Sequence, residues 1–181
     1  MEEKLKSQFA PVKSEMYQLL LSAYCYERKF DHLEGRLKTE SREFLLEEVT
    51  SLRHLSNGMI LHICNLDDDD SSVGSIRAMT KSMGKMKEYN ERTNVCKETL
   101  KSYRTQINNF KTKYRNQFIA HRNGEDYPDP FDLPDYRNEF KEIIQTALSA
   151  LQCMWGTTLK FGFRLGSRDA TIDFKEELGV E

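Results

Sequence analysis

The chain lacks any apolar run approaching the ~20 residues that a bilayer-spanning helix needs. Its first residues, MEEKLKSQFAPVKSE, contain neither an apolar h-region nor a small-residue cleavage site. A membrane span and a secretory leader are therefore not expected, and the protein is expected to stay in the cytoplasm with no membrane partner. Cysteine is sparse and scattered. Cys25, Cys64, Cys96 and Cys153 form no close pair in the sequence of the kind that zinc and redox sites show. They are expected to be reduced, mostly buried and apolar in behaviour. GxGxxG, Walker, HExxH and GxSxG patterns are all missing, so dinucleotide, P-loop, zincin and α/β-hydrolase chemistry have no support. No cofactor is expected.

What is present suits one globular unit. A length of 181 residues allows one core, and 38% hydrophobic with 31% charged residues describes a water-soluble globule with long polar helix faces. The net charge of −2 does not by itself favour or disfavour nucleic acid, so the distribution of charge has to decide. No repeat, linker or low-complexity tract divides residues 1–181.

Apolar residues recur at steps of three and four over most of the length, the period of a helix with one buried stripe. The first stripe is Leu5, Phe9, Val12, Met16, Leu19, Ala23, Tyr26 and Phe30, with Pro11 kinking the helix or starting its regular part and Gly35 ending it. A second helix, capped by Thr39 or Ser41, carries Leu45, Val49, Leu52, Ser56, Met59, Ile63 and Leu66. Asp67 to Asp70 reads as a solvated turn, followed by Ser71 and Ser72 as the cap of a short helix over about 72–84. From Lys85 to about Arg122 there is no proline or glycine. Met86, Tyr89, Thr93, Cys96, Leu100, Tyr103, Ile107, Phe110, Tyr114 and Phe118 keep the helical period there, which predicts the longest element. Asn123-Gly124 is a stop, and EDYPDPFDLPDY is a turn-rich loop.

A last helix is predicted from about Asp135 to Trp155, burying Phe140, Ile143, Ile144, Ala147, Leu148, Leu151, Met154 and Trp155, and Gly156 closes it. Beyond that, Leu159, Phe161, Phe163 and Leu165, then Ala170, Ile172 and Phe174, alternate as strands do. The expected fold class is all-α, a bundle of four to five helices with a short C-terminal β-hairpin over 156–181 that packs on the bundle or against a second chain.

The charge is distributed unevenly. KSYRTQINNFKTKYRNQFIAHR, from Lys101 to Arg122, holds Lys101, Arg104, Lys111, Lys113, Arg115 and Arg122 and no carboxylate. A field of one sign interleaved with Tyr103, Phe110, Tyr114 and Phe118 suits a polyanion with stackable bases, RNA or DNA. The bland alternative is a solvated helix face with its aromatics in the core. Within the run, Arg115 and His121 stand six positions apart. On an ideal helix they point ~120° apart, so convergence needs a loosened last turn or a second copy of the site. At a helix C-terminus the macrodipole favours the imidazolium while the nearby arginines oppose it, which leaves a group that titrates near neutrality.

Arg115-Asn116 followed by Ala120-His121-Arg122, late in a helical bundle, resembles the Rx(4–6)H signature of the HEPN superfamily, here with five intervening residues. The segment LSNGMILHICNLDDDDSSVGSIRAM is similar to the region upstream of the motif in abortive-infection proteins of the AbiU-like subgroup. The resemblance covers roughly residues 14–155 and implies a HEPN-like bundle. It also implies metal-independent RNA cleavage to a 2′,3′-cyclic phosphate in phage defence or as a toxin. His121 would then be general acid or base, Arg115 would hold the phosphate oxygens, and Asn116 would orient Arg115 or the phosphate. Lys111, Lys113, Tyr114 and Arg122 would bind substrate, and a homodimer would pair two motifs, with an antitoxin as a further partner. A catalytically silent module that binds RNA, a nucleotide or a protein through the same face is the competing expectation. The carboxylates Glu125, Asp126, Asp129, Asp132 and Asp135 beside the motif bear on that choice, because folding back they would neutralise the basic helix.

Metal sites carry less. Consecutive aspartates rarely converge on one ion, and the spacing is not that of an EF-hand. His54 and His62 stand ~12 Å apart along a helix, too far to share a zinc ion. His32 has no ligand at metal spacing.

Overall fold

A computed structural model describes residues 3–70, 74–86, 90–109, 111–112, 139–164 and 171–180. The fold is all-α with a short C-terminal hairpin. Among the described residues the order is α1 (Glu3–Arg36), α2 (Arg42–Leu66), α3 (Ile76–Met83), α4 (Asn90–Asn109), α5 (Lys141–Trp155), β1 (Gly162–Arg164), β2 (Thr171–Asp173) and α6 (Phe174–Leu178). None of the described helices is long and apolar enough to cross a membrane. α1 packs on α2 and α4 packs on α5, while α3 touches α1, α4 and α5.

The stripes read from the sequence form the core. Phe9, Val12, Met16, Leu19, Ala23 and Tyr26 of α1 are buried against Leu52, Met59 and Ile63 of α2, Leu100 and Ile107 of α4, and Ile144 and Leu148 of α5. Each fully buried Leu, Ile or Met contributes about 1.5–3 kcal/mol, which far exceeds differences in helix propensity. The first stripe departs from expectation at its end: Phe30 is 40% exposed and Leu33 is buried in its place. Phe30 lies at the rim, with its ring stacked on Tyr26 at 6.1 Å. The Leu5 side chain, Tyr89, Phe110, Tyr114 and Phe118 lie outside the described residues, as do Asn123-Gly124, the proline-rich loop and the start of the last helix near Asp135.

Helix ends follow side-chain chemistry. Ser41 caps α2, its hydroxyl accepting from Phe44 N at 3.2 Å. Gly35 does not stop α1, which runs to Arg36 and ends where Thr39 N and Glu40 N both donate to Arg36 O. The cap of α3 is Ser75 rather than Ser71 or Ser72. Ser75 Oγ accepts from Ala78 N at 2.9 Å and donates to Asp68 O at 2.6 Å, so the helix begins at Ile76. Lys85 and Met86 belong to the turn that closes α3, Met86 N donating to Met83 O at 2.9 Å, and not to the long helix expected from Lys85. Gly156, at φ 84°, ends α5 in the left-handed conformation that glycine adopts without strain.

The segment after Gly156 packs on the bundle, as one of the two expected arrangements has it. β1 and β2 are antiparallel, with Phe163 opposite Ile172. Leu165 and Ala170 lie outside the described residues. α6, where the alternating pattern had placed Phe174 in a strand, starts where Asp173 Oδ1 accepts from Lys175 N at 3.0 Å. The buried Phe174 ring meets Tyr17 at 5.6 Å and Tyr24 at 5.5 Å on α1. Trp155, half-buried at the end of α5, stacks on Phe9 at 3.9 Å.

Pro11 lies inside α1, where it offers no N–H to the helix, and the chain leading into α3 crosses it closely. A Cβ on Gly74 would collide with the Pro11 side chain and stand 3.0 Å from its carbonyl carbon. Gly74→Ala is expected to lower stability by about 1–3 kcal/mol, the usual range for overpacking. Urea denaturation tests this, and an unchanged midpoint would contradict the close crossing.

Candidate functional site

The candidate site is approached from the far ends of α2 and α4. The α2 stripe runs through Ile63 and would continue four residues later at Asp67, so a carboxylate falls where the helix faces its neighbours. Asp67 is 2% exposed and forms the C-cap of α2. Burying a lone carboxylate costs several kcal/mol, so the position requires cations. Lys111 supplies one, its Nζ lying 2.5 Å from Asp67 Oδ2 and 3.4 Å from Asp67 O. Arg104 Nε faces Oδ1 at 3.4 Å, an ion pair without hydrogen-bond geometry. Beside them the buried Tyr103 hydroxyl donates to Ile63 O at 2.6 Å. Burial, and after it Cys64 and Asp67, holds that phenol well above its usual range.

The rest of the aspartate run does structural work. Asp69 meets Arg77 Nη2 at 3.0 Å and also pairs with Lys81. Asp68 Oδ1 accepts from Asp70 N at 3.0 Å, which shapes the turn. Asp67 and Asp69 thus face cations of the fold, whereas the sequence suggested a solvated turn throughout. Among the described residues no group of three or more His, Cys, Asp or Glu side chains is placed to hold a metal ion.

A second polar cluster sits on the same end of α2. His62 Nδ1 lies 2.9 Å from Glu15 Oε1, and Asn65 Nδ2 donates to the same oxygen at 2.9 Å. These bonds, His62 first, hold the Glu15 carboxyl below its usual 4.5 against the opposing effect of burial. His54 and His32 are exposed. His32 borders a surface cavity of about 250 Å³ that is also lined by Lys29, Leu33, Arg36, Phe44 and Glu48.

Among the residues named from the sequence, Lys111 is half-buried on Asp67. Arg115, Asn116, His121, Lys113, Tyr114 and Arg122 lie outside the described residues, as do the carboxylates from Glu125 to Asp135.

Sequence reasoning missed three groupings: Asp67 with Lys111 and Arg104, Glu15 with His62, and Cys96 with Cys153. A signal existed for the first, since Asp67 continues the α2 stripe. The other two join residues 47 and 57 positions apart, and only folding brings them together. Searches for a matching family model, a similar characterised protein or a similar solved structure find none.

Glu15 gives a pH prediction. Its folded-state value lies below 4.5, so the charged carboxylate contributes stability that is fully present above the unfolded value and lost as pH falls through the folded one. Glu15→Gln should therefore destabilise the chain in urea at neutral pH, and the gap from the unsubstituted protein should narrow once pH is well below 4.5. A gap that does not change with pH would contradict the assignment.

Proposed function

We propose that the protein is a HEPN-type, metal-independent endoribonuclease that acts in phage defence or as a toxin. The observation that carries this reading is the run from Lys101 to Arg122, six cations and no carboxylate, which ends in Arg115-Asn116…His121. The all-α bundle and the anchoring of Lys111, four positions before Arg115, support it.

In this reading a ribose 2′-hydroxyl attacks the adjacent phosphorus. The new O2′–P bond forms as the P–O5′ bond breaks, leaving a 2′,3′-cyclic phosphate and a 5′-hydroxyl. His121 takes the 2′ proton or returns one to O5′, work that suits a group titrating near neutrality. Arg115 holds the non-bridging oxygens with its planar fork, stabilising the charge that grows at the pentacoordinate phosphorus. Asn116 orients Arg115 or the phosphate. Lys111 is engaged by Asp67 and so fixes the approach to the site, while Lys113, Tyr114 and Arg122 line the RNA path. A homodimer gives the site two imidazoles, one for each proton transfer, and resolves the ~120° divergence of Arg115 and His121 on one helix. An antitoxin protein is the further partner.

A second reading has one observation in its favour: Asp67 already neutralises part of the basic run through Lys111 and Arg104. A catalytically silent module that binds RNA, a nucleotide or a protein would tolerate that. Incubation with mixed RNA in excess chelator separates the two. Cleavage leaving cyclic-phosphate ends is expected, falling at least ~100-fold in His121→Ala, the lower range for losing a general acid or base. Arg115→Ala should lose activity as well, with the helical circular-dichroism signal unchanged in both. Binding without cleavage would overturn the nuclease reading in favour of the silent module.

A further inference from the structure

α4 and α5 pack along each other, and their contact brings together two thiols 57 positions apart, Cys96 Sγ and Cys153 Sγ, separated by 3.0 Å. Cys96 is fully buried, whereas Cys153 is partly open to solvent. A disulfide bond is about 2.05 Å long, so bonding needs an approach of roughly 1 Å. Arg92 lies one turn before Cys96 on α4 and reaches the end of α5, where a Cβ on Gly156 would meet its Nη2 at 2.7 Å. A fixed positive charge therefore sits between the same two helix ends as the thiols.

We propose that Cys96 and Cys153 form a redox modification site, which a low-molecular-weight disulfide of the glutathione class oxidises to an intramolecular disulfide tying α4 to α5. The residues enclosed by that bond include the whole Arg115–His121 segment, so the chain on both sides of it would be joined covalently. The site is independent of what that segment catalyses.

Cys153 is the more accessible sulfur, and its thiolate attacks one sulfur of the oxidant. An S–S bond to Cys153 forms, and one equivalent of the small thiol leaves. Cys96 then attacks the Cys153 sulfur and expels the second equivalent, which leaves as the thiol with the proton that Cys96 gives up. Two protein thiols are oxidised by two electrons, and one oxidant disulfide is reduced to two thiols. Burial and the adjacent Cys153 hold the Cys96 thiol above its usual range, while Arg92 opposes them. Once Cys153 carries the mixed disulfide it can no longer ionise, so the electrostatic part of its effect on Cys96 is removed, which favours the second step.

The test uses the full chain, reduced, freed of reductant and incubated with oxidised glutathione, then denatured and alkylated. Mass spectrometry should find a Cys96–Cys153 linked peptide, an intact mass lower by two hydrogens, and Cys25 and Cys64 alkylated. Cys96→Ser should stop at the mixed disulfide, with one glutathione retained on Cys153. Independently of any variant, the oxidised chain cut by protease between the two cysteines should give fragments that separate only after reduction. The proposal is overturned if the unsubstituted chain keeps glutathione on Cys153, if both thiols remain open to alkylation, or if the bonds formed involve Cys25 or a second chain.

Discussion

A carboxylate buried where α2 ends is the constraint on which the arrangement of the polar end depends. Asp67 follows directly on an apolar stripe and cannot turn to water, so the chain must bring cations to it. Lys111 and Arg104 do so from α4 and the turn beyond it, fixing how the second half of the protein lies against the first. A buried ion pair adds little net stability over an apolar pair of the same shape. Removing one partner is a different matter, because it leaves a charge out of water, and the pair therefore specifies register more than it strengthens the core. The neighbouring Tyr103 to Ile63 bond locks the same two elements together.

That constraint also bears on function. A run of cations without carboxylates repels itself, and something must hold it in place without cancelling all of its charge. Asp67 engages cations in the first half of the run, while Lys113, Arg115 and Arg122 follow in sequence. Under the proposed function the segment has an anchored beginning and a working end. The electrostatic term in RNA binding is set by the number of phosphates neutralised, so cations already engaged by protein carboxylates contribute less to it.

Most helices could be read from the sequence because burial of one stripe dominates their energetics, and Phe9 to Tyr26, Leu52 to Ile63 and Ile143 to Met154 all lie where the period puts them. What escaped had short-range or long-range causes. Phe30 gives way to Leu33 because a period of 3.6 residues drifts against steps of three and four near the end of a long helix. Ser75 displaces Ser71 and Ser72 as a cap because it also binds Asp68 O, a contact across the turn that no propensity encodes. α6 is five residues long and rests on one aspartate cap and the burial of Phe174. The Glu15–His62 and Cys96–Cys153 contacts depend on which helices become neighbours, and spacing within one helix says nothing of that.

The anchoring role of Asp67 is tested most directly by a double-mutant cycle in urea, using Asp67→Asn, Lys111→Met and the two together. A coupling energy of about 1–3 kcal/mol is expected, the double variant losing much less than the sum of the single losses. Losses that add within about 0.5 kcal/mol would contradict it.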